Sequence, residues 1–274
     1  PVLYYNTALL STALIRQPPA TMDALNTDAS ETSQGNTGMY GFATQGSTLF
    51  VTPFLFADGG DLIAGDGKTP LVNNTASVNG FSRLIALIKA DAVLPFNAAS
   101  AATDAENGFA AGHVAMLIGG SWEVATLQQG SAFQGANASD FGIAAIPTGS
   151  AGAVPRALAG GESYAIYQGT PHADAALTFL NYLDAAAQQS AVAQANDTLP
   201  ARLSAYTPAV LQNATIQSFH ALLATAKARP VVPNTGTLFS TFDSDIQPAL
   251  AGTSTAQDAL NKVAQDWQTL LAGS

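Results

Sequence analysis

Val114-Ala115-Met116-Leu117-Ile118-Gly119-Gly120-Ser121-Trp122 reads as a buried strand that runs directly into a turn and a helix. Five consecutive apolar residues without alternation are what a strand covered on both faces requires. Gly119-Gly120-Ser121 ends the strand, and a short helix follows from Trp122. Junctions of this kind line clefts in α/β folds. Local features give Trp122 two readings. Its ring can offer a flat face to the apolar C–H surface of a sugar, or it can lie in the core beneath the turn.

Upstream, Asp104–Ala111 is a short helix with Gly112 as its C′ residue. Thr75 opens a longer helix with Val78, Phe81, Leu84, Ile85 and Ile88 on one face. Before it come a strand at Val2–Tyr5, a helix at Thr7–Ile15 ended by Pro18-Pro19, and a helix capped by Thr21 with Asp23 in its first turn. Asn26–Gly38 is polar, a loop or a poorly ordered helix. Tyr40–Thr44 is a strand. Leu49–Phe56 is an aromatic-rich segment closed by the Ala57-Asp58-Gly59-Gly60 turn, and Asp66-Gly67-Lys68 is a hairpin turn. Downstream, Phe141–Ile146 is a strand stopped by Pro147, Thr148–Pro155 is a loop, and Ala157–Tyr167 is a strand with Gly160-Gly161 inside it. Helices then cover 171–183, 185–195, 208–227, 236–250 and 254–271. The last has Ser254 and Gln257 as a capping box and Leu260, Val263, Trp267 and Leu270 as its apolar stripe. Strands and helices alternate early and helices dominate late, which predicts an α/β protein with a mixed sheet.

Across 274 residues, 47% are apolar and 10% charged, and the formal net charge is −10. No apolar run approaches the roughly 20 residues of a membrane span. The acidity argues against nucleic acid and against anionic lipid as partners. The absence of cysteine excludes disulfides, thiolate metal sites and a cysteine nucleophile. Pro1–Tyr5 has no basic n-region or long apolar h-region and reads as a strand already in progress, so an N-terminal portion is expected to be missing.

Chemistry-bearing motifs are scarce. His113, His172 and His220 have no second ligand at metal spacing, and surface or capping roles fit each of them. No nucleophile elbow, phosphate loop or dinucleotide fingerprint occurs, so neither a metal nor a cofactor is expected. Asp58 and Asp61 flank a glycine pair, where a turn role is the default. Asp104 with Glu106, or Glu123 with Glu162, are the pairs of carboxylates a glycosidase would need. Trp267 lies in a helical apolar stripe and reads as core.

Several ordered landmarks resemble one family. Tyr4-Tyr5-Asn6 with Pro18-Pro19-Ala20-Thr21 and Leu25, then Tyr40-Gly41-Phe42 and Ala57-Asp58-Gly59-Gly60, are similar to its opening motifs. Residues 108–116 (GFAAGHVAM) are similar to its AFAAGKAAM, Gly119-Gly120-Ser121-Trp122 to GGPW, residues 157–163 to LGGESLAI, and Leu199-Pro200-Ala201-Arg202 to LPAR. The chain thus resembles the sugar-type extracellular solute-binding proteins of ABC importers (family 1, maltose-binding-protein-like).

That resemblance implies a periplasmic-binding-protein-like (type II) α/β fold of two lobes closing on ligand about a hinge. It implies a largely complete second lobe at 1–156 and 211–274, with 157–210 as the returning piece of a partial first lobe. Carried over position by position, it implies ligand contacts at Trp122, Gly160, Gly161, Glu162, Arg202 and Phe239, with Phe50 near a further aromatic contact. His113 stands where the family has lysine, and 47–52 lacks the family's tryptophan. The implied function is the substrate-binding component of an ABC importer, outside the cytoplasm as a periplasmic or lipid-anchored protein. It would bind a carbohydrate without chemistry and dock on the membrane permease subunits. Two alternatives stand beside it: a sugar-phosphate or glycerol-3-phosphate receptor, for which Arg202 and Arg156 would speak, and a carbohydrate-active hydrolase. An incomplete first lobe would also leave a sheet edge open to self-association.

Overall fold

The computed structural model describes residues 1–34, 37–90 and 92–272, which fall into two compact units: 1–158 with 225–274, and 159–224. The sequence reading divided the chain at 157 and 211. The boundaries of these compact units fall after Leu158 and after Ala224. Two helices of the 208–224 stretch account for the difference. Val210 and Ile216 share a small core with Ala193 inside the second unit.

The first unit is built on a mixed four-stranded sheet. Its strands are β1 (Val2–Asn6), β2 (Tyr40–Ala43), β3 (Val114–Gly119) and β4 (Phe141–Ala144), in the order β2-β3-β1-β4. β1 runs antiparallel to β3 and β4, and β2 parallel to β3. Every residue of β3 is buried, as its unbroken apolar run requires. The helices of this unit are α1 (Thr7–Thr12), α2 (Met22–Thr32), α3 (Thr48–Ala57), α4 (Thr75–Ile88), α5 (Ala101–Ala110) and α6 (Val124–Gln128).

Strand alternation sorts the core into two sides. Leu3, Phe42, Met116 and Ile118 belong to the main cluster with residues of α2, α3 and α4. Tyr4 points the other way and packs on Phe109 of α5 (ring centroids 6.2 Å) and Phe141 (5.3 Å), with Phe133 closing the group.

Several local readings hold at the level of single bonds. Thr21 caps α2 by accepting from the Ala24 N–H, and Gly112 follows α5 at φ 78°. Asp66 accepts from the N–H groups of Lys68 and Thr69, with a bridge between Ile63 and Pro70 below the turn. The aromatic-rich 49–56 segment is helical, as α3. Of the polar Asn26–Gly38 stretch, α2 takes the part to Thr32, and residues 35 and 36 lie outside the described residues.

The second unit contains α7 (Ala173–Leu183), α8 (Ala186–Asn196), α9 (Pro208–Leu211) and α10 (Ala214–Leu223). The sequence predicted one helix over 208–227. Instead Asn213 interrupts it, accepting from the N–H groups of Thr215 and Ile216 to cap α10. The predicted strand at 157–167 is absent among the described residues. Leu158 makes a single bridge to Lys227, and 159–167 pairs with nothing in a ladder. A strand needs a partner edge, and this chain gives that segment none. α7 buries no residue at all.

Two further helices, α11 (Thr235–Leu250) and α12 (Ala256–Ala272), complete the first unit. The cap of α12 lies one residue later than the sequence reading placed it. Thr255, not Ser254, accepts from the Asp258 N–H and donates to the Asp258 carboxylate. Leu260, Val263, Trp267 and Leu271 form its buried face, and the Trp267 Nε1–H donates to the Leu238 carbonyl.

Candidate ligand-binding site

β3 leads through Gly119 and an extended Gly120 (φ −95°, ψ 158°) into a 3-10 turn at Ser121–Glu123. In extended backbone, successive Cβ directions alternate, and two different side chains use the two vacancies. A Cβ on Gly119 would meet Glu123 Oε2 at 2.4 Å and the Tyr4 ring at 2.7 Å. A Cβ on Gly120 would meet the Trp122 ring at 2.3 Å. Trp122 therefore lies flat on Gly120, and the Glu123 carboxyl lies against Gly119. Both glycines are required for these close approaches.

Trp122 is 57% exposed and Glu123 only 5%. Behind Trp122 stands Phe50 of α3, with centroids 6.2 Å apart and planes tilted 56°. Phe50 is buried, so it supports Trp122 and shows little of its own face. The Tyr4 hydroxyl donates to the Gly120 carbonyl at 2.6 Å, fixing the turn from β1. The Gln45 amide donates to Glu123 Oε1 at 2.9 Å, while Oε2 has no partner among the described residues. Burial pushes the Glu123 carboxyl up to about 7, and the Gln45 bond and the neighbouring Gly120 backbone oppose that.

The N-terminus of α3 is tied to α11. Asp243 Oδ1 accepts from both the backbone N–H and the hydroxyl of Thr48, each at 2.5 Å, and replaces the missing side-chain cap of Ser47. A carboxylate at that position also complements the helix dipole. The Thr48 hydroxyl reaches the Phe239 carbonyl as well. Phe239 is half-buried against the main core, and the Arg229 guanidinium sits 5.7 Å from its ring centroid.

The remaining sequence-derived residues belong to the second unit. Gly160, Gly161 and Glu162 are exposed in its irregular opening segment. Arg202 is exposed and pairs with Asp184 at 3.5 Å. The first unit thus gathers Trp122 and Phe50, and links Phe239 to α3 through Thr48. Sequence reasoning singled out Trp122 but passed over Gln45, whose signal is only a polar residue between a strand and an apolar helix. It noticed Glu123 solely as half of a carboxylate pair.

The other candidates take structural roles. Asp58 and Asp61 pair with Arg83 and Lys227. His220 stacks on Tyr206 at 4.3 Å, and His172 precedes α7. Among the described residues, no group of three His, Asp or Glu side chains could hold a metal ion, and no helix is long and apolar enough to cross a membrane.

Comparison with known proteins places this geometry. Residues 1–221 match the family described as bacterial extracellular solute-binding protein. The matching family is number 8 of these proteins and is maltose-binding-protein-like, where the landmark motifs pointed to number 1. A putative binding protein of Brucella abortus is 27% identical over 237 residues, and the match covers 84% of this chain and 56% of that one. The chain thus spans little more than half the length of this curated relative. Among solved structures, the GacH receptor of Streptomyces glaucescens, studied unliganded and with acarbose, superposes with TM-score 0.90 at 27% identity. That match covers 99% of this chain and 69% of the receptor. The maltose-binding protein MalE of Listeria monocytogenes, in complex with maltose, gives TM-score 0.77 at 23% identity, covering 100% of this chain and 70% of its own. These superpositions establish the α/β periplasmic-binding-protein-like fold, and the family match over residues 1–221 means that the chain belongs to the bacterial extracellular solute-binding proteins.

Proposed function

We propose that this chain is part of the substrate-binding component of an ABC importer and that it binds a carbohydrate outside the cytoplasm. The observation that carries the reading is Trp122. Its ring is more than half exposed, fixed on Gly120 and backed by Phe50. A large aromatic face held rigid and left open is what stacking on a sugar's C–H surface needs, at small entropic cost. The GacH receptor, at 27% identity, was solved with acarbose, which supports the same ligand class. Hydroxyl partners would come from Glu162, Arg202 and the Gly160-Gly161 backbone, with Phe239 as a second stacking face. No reaction is assigned, and the permease subunits of the importer are the expected partner.

The unit of 1–158 with 225–274 would then be the second lobe, and 159–224 the returning piece of the first. An open apolar side of α7 supports this, because Phe179 and Tyr182, three residues apart on one side of the helix, are each more than half exposed. That side would be covered by first-lobe residues that the relatives have beyond the part this chain matches. Alone, the chain would use it for self-association and bind sugar weakly.

The sugar-phosphate alternative is less well supported. Of the two arginines that speak for it, Arg202 is paired with Asp184 and Arg156 is exposed, whereas the open Trp122 face suits a neutral sugar. Calorimetry against a panel of neutral oligosaccharides and sugar phosphates tests the reading, run on this chain and on a form extended at its N-terminus. Neutral-sugar binding that strengthens on extension and weakens about tenfold to a hundredfold in Trp122→Ala is the expected result. Turnover of any glycan, or binding indifferent to Trp122, would reject it.

A further inference from the structure

We propose that Glu123 is a positioning residue for the Trp122 face, acting through the Gly119-Gly120 turn, so that gain and loss of its proton moves the ring. This deepens the carbohydrate reading and rests on it for the identity of the ligand. The geometry is a shared scaffold. Glu123 and Trp122 are consecutive residues of one 3-10 turn, and each closes on one of the two preceding glycines. Movement of the Glu123 side chain is therefore transmitted to Trp122 through one peptide unit and a turn with no spare room on either side.

The carboxyl also reaches the other wall of the aromatic pair. It receives the Gln45 amide, and Gln45 stands three residues before α3, the helix that carries Phe50.

Protonated, Glu123 fits its surroundings: one oxygen takes the Gln45 bond, and the other is a neutral hydroxyl beside Gly119 and the Tyr4 ring. Ionised, it leaves an unpartnered anionic oxygen in a site 5% exposed. Such a charge draws in water or moves outward. The groups that face it are few. Tyr4 of β1 has its hydroxyl committed to Gly120. Glu106 of α5 opposes ionisation, and the neighbouring Gly120 backbone favours it. Gln45 is the neutral polar contact from the segment between β2 and α3.

The experiment reads the ring itself with no sugar present, so failure of the carbohydrate reading and failure of this coupling are separable. Tryptophan emission of the full chain is recorded from about pH 5.5 to about pH 8.5, and the Trp122→Phe spectrum is subtracted to remove Trp267. The Trp122 emission should shift once, with its midpoint near neutrality. Glu123→Gln should remove the shift and hold the low-pH spectrum throughout. Glu106→Gln should move the midpoint to lower pH, and Gln45→Ala to higher pH. No shift in the parent chain, or a shift that survives in Glu123→Gln, overturns the proposal. Should Glu123→Gln not fold, the two milder variants decide: opposite displacements support the coupling, and an unmoved midpoint in both rejects it.

Discussion

Helices α12 and α7 carry the same kind of amphipathic pattern and meet different fates. α12 lays Leu260, Val263, Trp267 and Leu271 into a core shared with Leu238, Phe242 and Ile246 of α11. α7 only half-buries its stripe of Ala176, Leu180 and Leu183, and leaves Leu177, Phe179 and Tyr182 around it more than half exposed. Its unit has only a small cluster around Ala193, Val210 and Ile216. An apolar stripe specifies that a helix needs a cover, not that the chain supplies one. In the first unit the cover lies within the same chain, so burial drives folding. The second unit keeps its helices by local bonds and caps, such as Asn213 on α10 and the Ser190 hydroxyl donating to the Ala205 carbonyl.

The contrast can be tested at single positions. The largest effect is expected from Trp267→Ala, which empties a fully buried site and leaves the Leu238 carbonyl without its donor. The loss should be about 3–5 kcal/mol in thermal or urea unfolding. A loss under about 1 kcal/mol would mean that α12 is no more covered than α7.

Glu123 gives the next largest effect, as a pH dependence of the first unit. Its folded value of about 7 lies above the ordinary 4.5, so the folded state holds the proton more tightly than the unfolded chain. Stability is therefore greatest below the ordinary value, falls as pH rises between the two, and is level above about 7. The full change is roughly 3 kcal/mol. Urea midpoints taken across that window should fall with pH, and Glu123→Gln should flatten the profile.

Trp122→Ala should separate function from stability within the same unit. Carbohydrate affinity of the extended form should fall about tenfold to a hundredfold by calorimetry, while the unfolding midpoint stays nearly unchanged because the ring is open to solvent.

In the second unit, Phe179→Ser should change stability by less than about 0.5 kcal/mol and reduce self-association in sedimentation measurements. A large destabilisation there would show that α7 is covered after all. The smallest effect belongs to Arg202→Ala: its pair with Asp184 is exposed on both sides and should contribute well under about 1 kcal/mol to stability.

Much of the first unit was legible because its signals are local. The unbroken apolar run of β3, the Thr21 cap, the Asp66 turn and the stripe of α12 each state their own structure. What failed was non-local. Ala157–Tyr167 has strand composition, but a strand exists only against a partner edge. The single long helix expected at 208–227 ignored the ability of Asn213 to cap the helix after it. Among site residues, Trp122 was readable from its glycine turn. The burial of Phe50 was not, because the packing of α3 against Trp122 depends on segments far apart in sequence. Arg202, a ligand contact by motif, also pairs with Asp184 on the surface, a contact between residues 18 positions apart that the motif does not record.

By itself, the sequence determined the α/β class, the strand-to-turn junction at Gly119-Gly120 and the membership implied by its ordered landmarks. These follow from backbone preference and hydrophobic periodicity, which act over a few residues. Only the tertiary structure decided that Trp122 is open while its neighbour Glu123 is sealed, and that α12 is buried while α7 is covered only in part. Burial is set by what other segments bring to a surface, and two helices of like pattern carry no local record of it.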